Sequence, residues 1–131
     1  MQIIISIWYN IGVDRTARVR LNPTPEQTEA LKDTINQFTA SFNRVCKVGW
    51  EQRNGNAYTL HRLTYRDCKV SNPALVSDLH IQARQKASEA VKSAITKSKK
   101  GDNVSCPQST YCPLRYNLHT FKVDWGLNTV N

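Results

Sequence analysis

No apolar run in this sequence is long enough to cross a bilayer. The longest, Ile3-Ile4-Ile5-Ser6-Ile7-Trp8-Tyr9, falls well short of the ~20 residues that a membrane-spanning helix needs. It follows no basic leader and precedes no small-residue cleavage site, so it does not fit a signal peptide. Its β-branched and aromatic make-up suits a strand, or an extension ahead of the domain proper. Glycine is scarce, five in 131 residues, and no glycine-rich phosphate loop is present. Acidic residues are outnumbered, ten against eighteen Lys and Arg. Acid–base or two-metal chemistry needs several carboxylates converging on one point. Here Glu26, Glu29, Asp33 and Glu51 are strung along one segment, and Asp102 and Asp124 stand apart. His61 and His80 have no Ser or Cys nucleophile pattern beside them. The chain is therefore expected not to be an enzyme, with no catalytic residue, no cofactor and no small-molecule substrate.

The four cysteines, Cys46, Cys68, Cys106 and Cys112, contain no CxxC pair, and they read as reduced thiols in a cytoplasmic protein. Cys106, Cys112 and His119 are spaced by six and seven residues. A structural zinc site ordinarily sets two ligands roughly two to four residues apart, so no metal site is assigned.

What the chain does have is positive charge. The formal net charge is +8, with 40% apolar and 21% charged residues, a composition that is globular and suited to a polyanionic partner. The excess is local. Residues 84 to 100 hold six basic residues, Arg84, Lys86, Lys92, Lys97, Lys99 and Lys100, against Glu89 alone. A second basic segment, Arg15, Arg18 and Arg20, precedes the first helix. Such stripes are the footprint of phosphate binding. Tyr116 and Phe121 sit among Arg115 and Lys122, a combination that suits stacking on single-stranded nucleic acid. The candidate contacts are Arg18, Arg20, Arg84, Lys92, Lys97, Lys99, Lys100, Arg115 and Lys122.

Periodicity supplies the elements. Thr24 and Gln27 form a capping box, with Pro25 at the first helical position. Apolar residues then recur at Leu31, Ile35, Phe38, Phe42 and Val45, which predicts a helix over 25–53, stopped by Asn54-Gly55 with the glycine left-handed. A second helix is expected over 59–69 with Leu60 and Leu63 inward. A third is expected over 73–98, capped by Asn72 and opened by Pro73, burying Leu75, Leu79, Ala83, Ala87, Ala90, Val91 and Ala94. After the linker Lys100-Gly101-Asp102-Asn103, alternation at Leu114, Tyr116 and Leu118, then Thr120 to Val123 and Trp125 to Val130, reads as strands. The expected class is α+β: a three-helix, mainly α recognition domain, with an N-terminal strand and the C-terminal strands forming a small, partial antiparallel β unit. The expected divisions are 1–15, an extension or extra strand; 16–100, a strand plus the helices; and 101–131, a linker and partial β segment.

Four segments carry a resemblance. They are Arg18-Val19-Arg20-Leu21-Asn22-Pro23-Thr24-Pro25-Glu26-Gln27, Phe42-Asn43-Arg44, the Gln-Ala-rich stretch from Leu79 to Ile95, and Arg115-Tyr116-Asn117-Leu118-His119-Thr120-Phe121. In this order and spacing the chain resembles the N-terminal region of the transposon-encoded OrfB/TnpB family, relatives of type V CRISPR effectors. Asn22 stands where the family has an aromatic residue. The resemblance implies a helix-turn-helix recognition part and the start of a wedge-like β part, which in the family hold guide RNA and target DNA. The RuvC-like nuclease domain and four-cysteine zinc ribbon of the family are absent, and Asp124 is in no Gly-Ile-Asp motif. The expected function is non-catalytic nucleic-acid binding, as a truncated OrfB/TnpB-like transposase accessory protein contacting RNA or DNA backbones, with no membrane partner. The alternatives are an independent helix-turn-helix DNA-binding regulator, the N-terminal piece of a split RNA-guided endonuclease whose nuclease domain is separately encoded, and a decayed reading frame that does not fold stably.

Overall fold

A computed structural model describes residues 2–8 and 14–116. The chain divides into two compact units, residues 1–31 and 32–131. In the first, β1 (Gln2–Trp8) and β2 (Asp14–Arg20) form an antiparallel pair, in register from Gln2 opposite Arg20 to Trp8 opposite Asp14. The capping box forms as the sequence implies. The Thr24 backbone N–H donates to Gln27 Oε1 at 2.9 Å, and the Gln27 N–H donates to Thr24 Oγ1 at 3.2 Å. These bonds satisfy two of the donors that open a helix. That helix, α1, spans Pro25–Gln52.

The second unit is helical. The later part of α1 packs with α2 (Ala57–Ser71) and α3 (Ser77–Lys99). Ser41 lies at Asn72 and Arg44 at Asp67, so α1 and α2 run antiparallel. Arg84 meets Ala57 and His80 meets Asn72, so α2 and α3 do too. The core is Phe38, Phe42, Val45 and Cys46 from α1, Leu60 and Cys68 from α2, and Leu79, Ala83, Ala87 and Val91 from α3, joined by Leu75 and Cys112.

The expected α+β class is corrected. From residue 21 to residue 116 the described chain is three helices without a strand, and β2 pairs with β1 rather than with C-terminal strands. Leu114 to Tyr116, expected as strand, are not. The reason lies just upstream, where backbone groups of Ser109, Cys112 and Pro113 are held by helix side chains. Asn43 Nδ2 donates to the Ser109 carbonyl and Asn43 Oδ1 accepts from the Ser109 N–H, each at 2.8 Å. The Cys112 N–H donates to Thr39 Oγ1 at 2.9 Å, and Lys86 Nζ donates to the Pro113 carbonyl at 2.8 Å. Pro107 and Pro113 have no N–H to give. That anchoring lays the segment along the helices instead of beside another strand. The strands expected at 120–123 and 125–130 lie outside the described residues.

Three local expectations also change. The left-handed residue after α1 is Arg53 (φ 51°), not Gly55. The Asn54 N–H reaches the Gly49 carbonyl at 3.0 Å and the Arg53 N–H the Trp50 carbonyl at 3.2 Å, the Schellman pair of bonds. Arg53 also lays its guanidinium 3.8 Å from the Trp50 ring centroid, which holds this uncommon conformation in place. Helix α3 starts at Ser77 rather than Pro73, because Asn72 closes α2: its N–H donates to the Cys68 carbonyl at 2.9 Å. Leu63 is 45% exposed, whereas Leu60, Thr64 and Cys68 form the buried row of α2. Thr64 fits inside because its hydroxyl donates to the Leu60 carbonyl at 2.6 Å.

Gly55 matters for closeness instead. A Cβ there would lie 2.5 Å from Lys92 Cγ and 3.0 Å from the Lys92 backbone nitrogen. Gly55→Ala is expected to force the α1–α2 connection off α3 and cost about 1–3 kcal/mol of stability, measured by urea unfolding.

Candidate nucleic-acid interface

The nine basic residues singled out from the sequence separate by what their side chains do. Arg115 makes a two-pronged ion pair with Glu89, each bond 3.0 Å. Arg84 is half-buried and donates from one terminal nitrogen to the Ala57 carbonyl at 3.1 Å. Burial lowers its pKa from the ordinary arginine value, and its Nε is sealed in without a partner. Both residues are committed to holding the fold. Arg18 and Arg20 belong to the other unit, on β2, where their backbone partners are Ile4 and Gln2. Lys122 lies outside the described residues.

The remaining four are together. Lys92, Lys97, Lys99 and Lys100 are all exposed at the end of α3. At 100° per residue Lys92 and Lys99 fall within about 20° of one line, about 10 Å apart along the axis, while Lys100 lies about 80° and Lys97 about 140° round from Lys92, so the four fan across the exposed half of the helix. Ser93 and Thr96, also exposed, lie between them. The opposite side, Val91 and Ala94, is buried. Lys97 and Lys99, in the last turn, complement the negative end of the helix dipole. That local benefit does not extend to Lys92, two turns earlier.

Arg53 was missed in the sequence, where it reads as part of a helix end. It belongs at this end of the bundle, because the connection it opens runs to Gly55, which touches Lys92. The adjoining Asn54-Gly55 pair was its only local signal.

The structure also joins two residues that the sequence keeps 39 apart: Ser41 Oγ lies 3.0 Å from His80 Nδ1. His80 Nε2 lies 3.1 Å from the Asn72 carbonyl. A carbonyl can only accept, so Nε2 carries the proton and Nδ1 accepts from the serine hydroxyl. The pairing looks like part of a nucleophilic triad. However, Ser41 is 1% and His80 3% exposed, so neither reaches a substrate in this arrangement, and the three groups form an internal tie between the helices.

All four cysteines are free thiols. Burial, with Cys106 and Cys112 nearby, pushes the Cys46 pKa up to about 12, and burial raises those of Cys68, Cys106 and Cys112 as well. Such groups are protonated at neutral pH and are weak nucleophiles. Among the described residues no three His, Cys, Asp or Glu side chains are placed to hold a metal ion, and none of the helices is long and apolar enough to cross a membrane. His119 lies outside those residues. The chain matches no family model, no curated protein and no solved structure.

Burial is the largest influence on His80 and holds its pKa below the ordinary value of 6.5, and the Asn72 carbonyl pulls the other way. The unfolded chain therefore binds a proton at this site more readily than the folded one. Stability contributed by neutral His80 is complete above pH 6.5 and falls as pH drops below it. Thermal unfolding followed between pH 7 and pH 5 is expected to show that fall, and His80→Gln is expected to remove its share of the slope.

Proposed function

We propose that the protein binds nucleic acid without catalysing a reaction on it, through phosphate contacts by Lys92, Lys97, Lys99 and Lys100. The observation that carries this reading is the concentration of these four exposed lysines at the C-terminal end of α3, while Arg84 and Arg115 are consumed by internal bonds. The net charge of +8 points to the same class of partner. Phosphate contacts position a protein without reading sequence, and the lysine end of α3 is suited to that task. Arg18 and Arg20 on β2 are proposed as further backbone contacts. The resemblance to the OrfB/TnpB recognition region supplies the setting: an accessory role beside RNA or transposon DNA, in the cytoplasm.

The test is binding of the purified chain to structured RNA and to duplex DNA across a salt series. Each phosphate neutralised contributes about −0.7 to −0.9 to the log–log slope. Replacing Lys97, Lys99 and Lys100 together by alanine is expected to flatten the slope by about two to three. No measurable binding at low salt overturns the reading.

A further inference from the structure

Helix α2 presents a second basic surface that the charge count along the sequence does not single out. Its buried row is Leu60, Thr64 and Cys68. On the far side Tyr58, Arg62, Arg66 and Val70 follow at four-residue spacing, all exposed, with Tyr58 at 77%. Arg62 and Arg66 enter none of the described hydrogen bonds or ion pairs. The nearby charges are committed elsewhere: Asp67 to Arg44 at 3.0 Å, and Lys69 to Ser77 Oγ at 3.3 Å.

Stability alone does not account for this row. A solvated helix gains from opposite charges four residues apart, and Arg62 with Arg66 places like charges there. The first turn of α2 holds no acidic residue to complement the positive end of its dipole. The row also begins just after the connection that lies against Lys92. Gly55 touches Lys92, and Tyr58 follows three residues later. Arg53 and Gly55, the latter against Lys92, belong to the connection between α1 and α2, and Tyr58, Arg62 and Arg66 follow it along α2.

We infer that the outer face of α2 is a binding track for single-stranded nucleic acid, with Tyr58 stacking on a base and Arg62 and Arg66 holding phosphates. This rests on the nucleic-acid reading above and names the strandedness of the ligand. Side chains one helical turn apart are separated by about 5–6 Å. An exposed ring followed by two guanidinium groups at that interval suits an unpaired strand, whose bases have free faces. In an intact duplex the base faces are stacked on one another, and Tyr58 has nothing to cover. The guanidinium suits phosphate because its planar fork donates two parallel hydrogen bonds.

Titrations of a labelled oligothymidylate of about 15 nucleotides, longer than most single sites, and of a DNA duplex test the track with the full chain. Tyr58→Ala is expected to weaken oligothymidylate binding roughly tenfold and leave duplex binding unchanged, while Tyr58→Phe retains the affinity. Arg62→Ala with Arg66→Ala is expected to flatten the single-strand salt slope by about 1.4. All three residues are exposed, so these variants keep the core intact. The inference is overturned if Tyr58→Ala binds oligothymidylate as wild type does, or loses duplex affinity equally. It also fails, with the wider reading intact, if the wild type binds only the duplex, or if only the Lys97, Lys99 and Lys100 alanine variant weakens binding. A wild-type chain that binds neither ligand removes both.

Discussion

Close approach of α3 to the other two helices is the constraint on which the helical unit depends. Ala83, Ala87 and Val91 are fully buried along α3. The neighbours they meet are small as well. A Cβ on Gly49 would lie 3.2 Å from the Val91 methyls, and one on Gly55 would run into Lys92. Ser88 is close enough to give its hydroxyl to the Gly55 carbonyl. With so few methylenes between the backbones, dispersion and hydrogen bonding act at short range. The same closeness sets Lys92 beside the α1–α2 connection, so that the packing of the core decides where the first lysine of the basic end stands.

Polar groups finish what the small residues begin. Ser41, Thr64, His80 and Ser88 are each at most 3% exposed, and each has a hydrogen-bond partner inside the protein. A buried polar group that is satisfied costs little, whereas one left alone costs on the order of 1–3 kcal/mol. The bonds of Ser41, His80 and Ser88 cross between elements, unlike that of Thr64 within α2, so a shift of α3 by one turn would strand several of these groups at once.

Much of the helical part was legible in the sequence because it rests on local signals. The capping box at Thr24 and Gln27 and the repeat from Leu31 to Val45 placed α1 within a residue at its far end. The small buried face of α3 was visible as alanines. What misled was where a tertiary contact outweighed a local preference. Asn72 and Pro73 have the chemistry to start a helix, yet Asn72 is drawn into closing α2 and accepting from His80. Gly55 looks like a helix stop, yet its value is the space it leaves for α3, and Arg53 takes the left-handed turn. Alternating residues after 113 read as strand because nothing local shows that Asn43, Thr39 and Lys86 claim the preceding backbone. In the basic stripe, sequence alone could not separate Arg84 and Arg115, which are bound inward, from the four lysines, because the carbonyl and carboxylate they meet are 27 and 26 residues away.

The Asn43 clamp has a consequence for how this chain can change. Its amide grips both the N–H and the carbonyl of residue 109, groups that every residue except proline carries alike. The side chain at 109 is not what is recognised. This contact can thus tolerate change at 109 while the path over the helices stays constant, although Cys112, three residues on, is fixed by its place in the core, whereas at 43 a shorter or charged side chain cannot offer one donor and one acceptor in the same plane. For this pair of positions variation is cheap on the strap and costly on the helix beneath it, the reverse of what exposure alone would suggest for a polar residue on a helix surface.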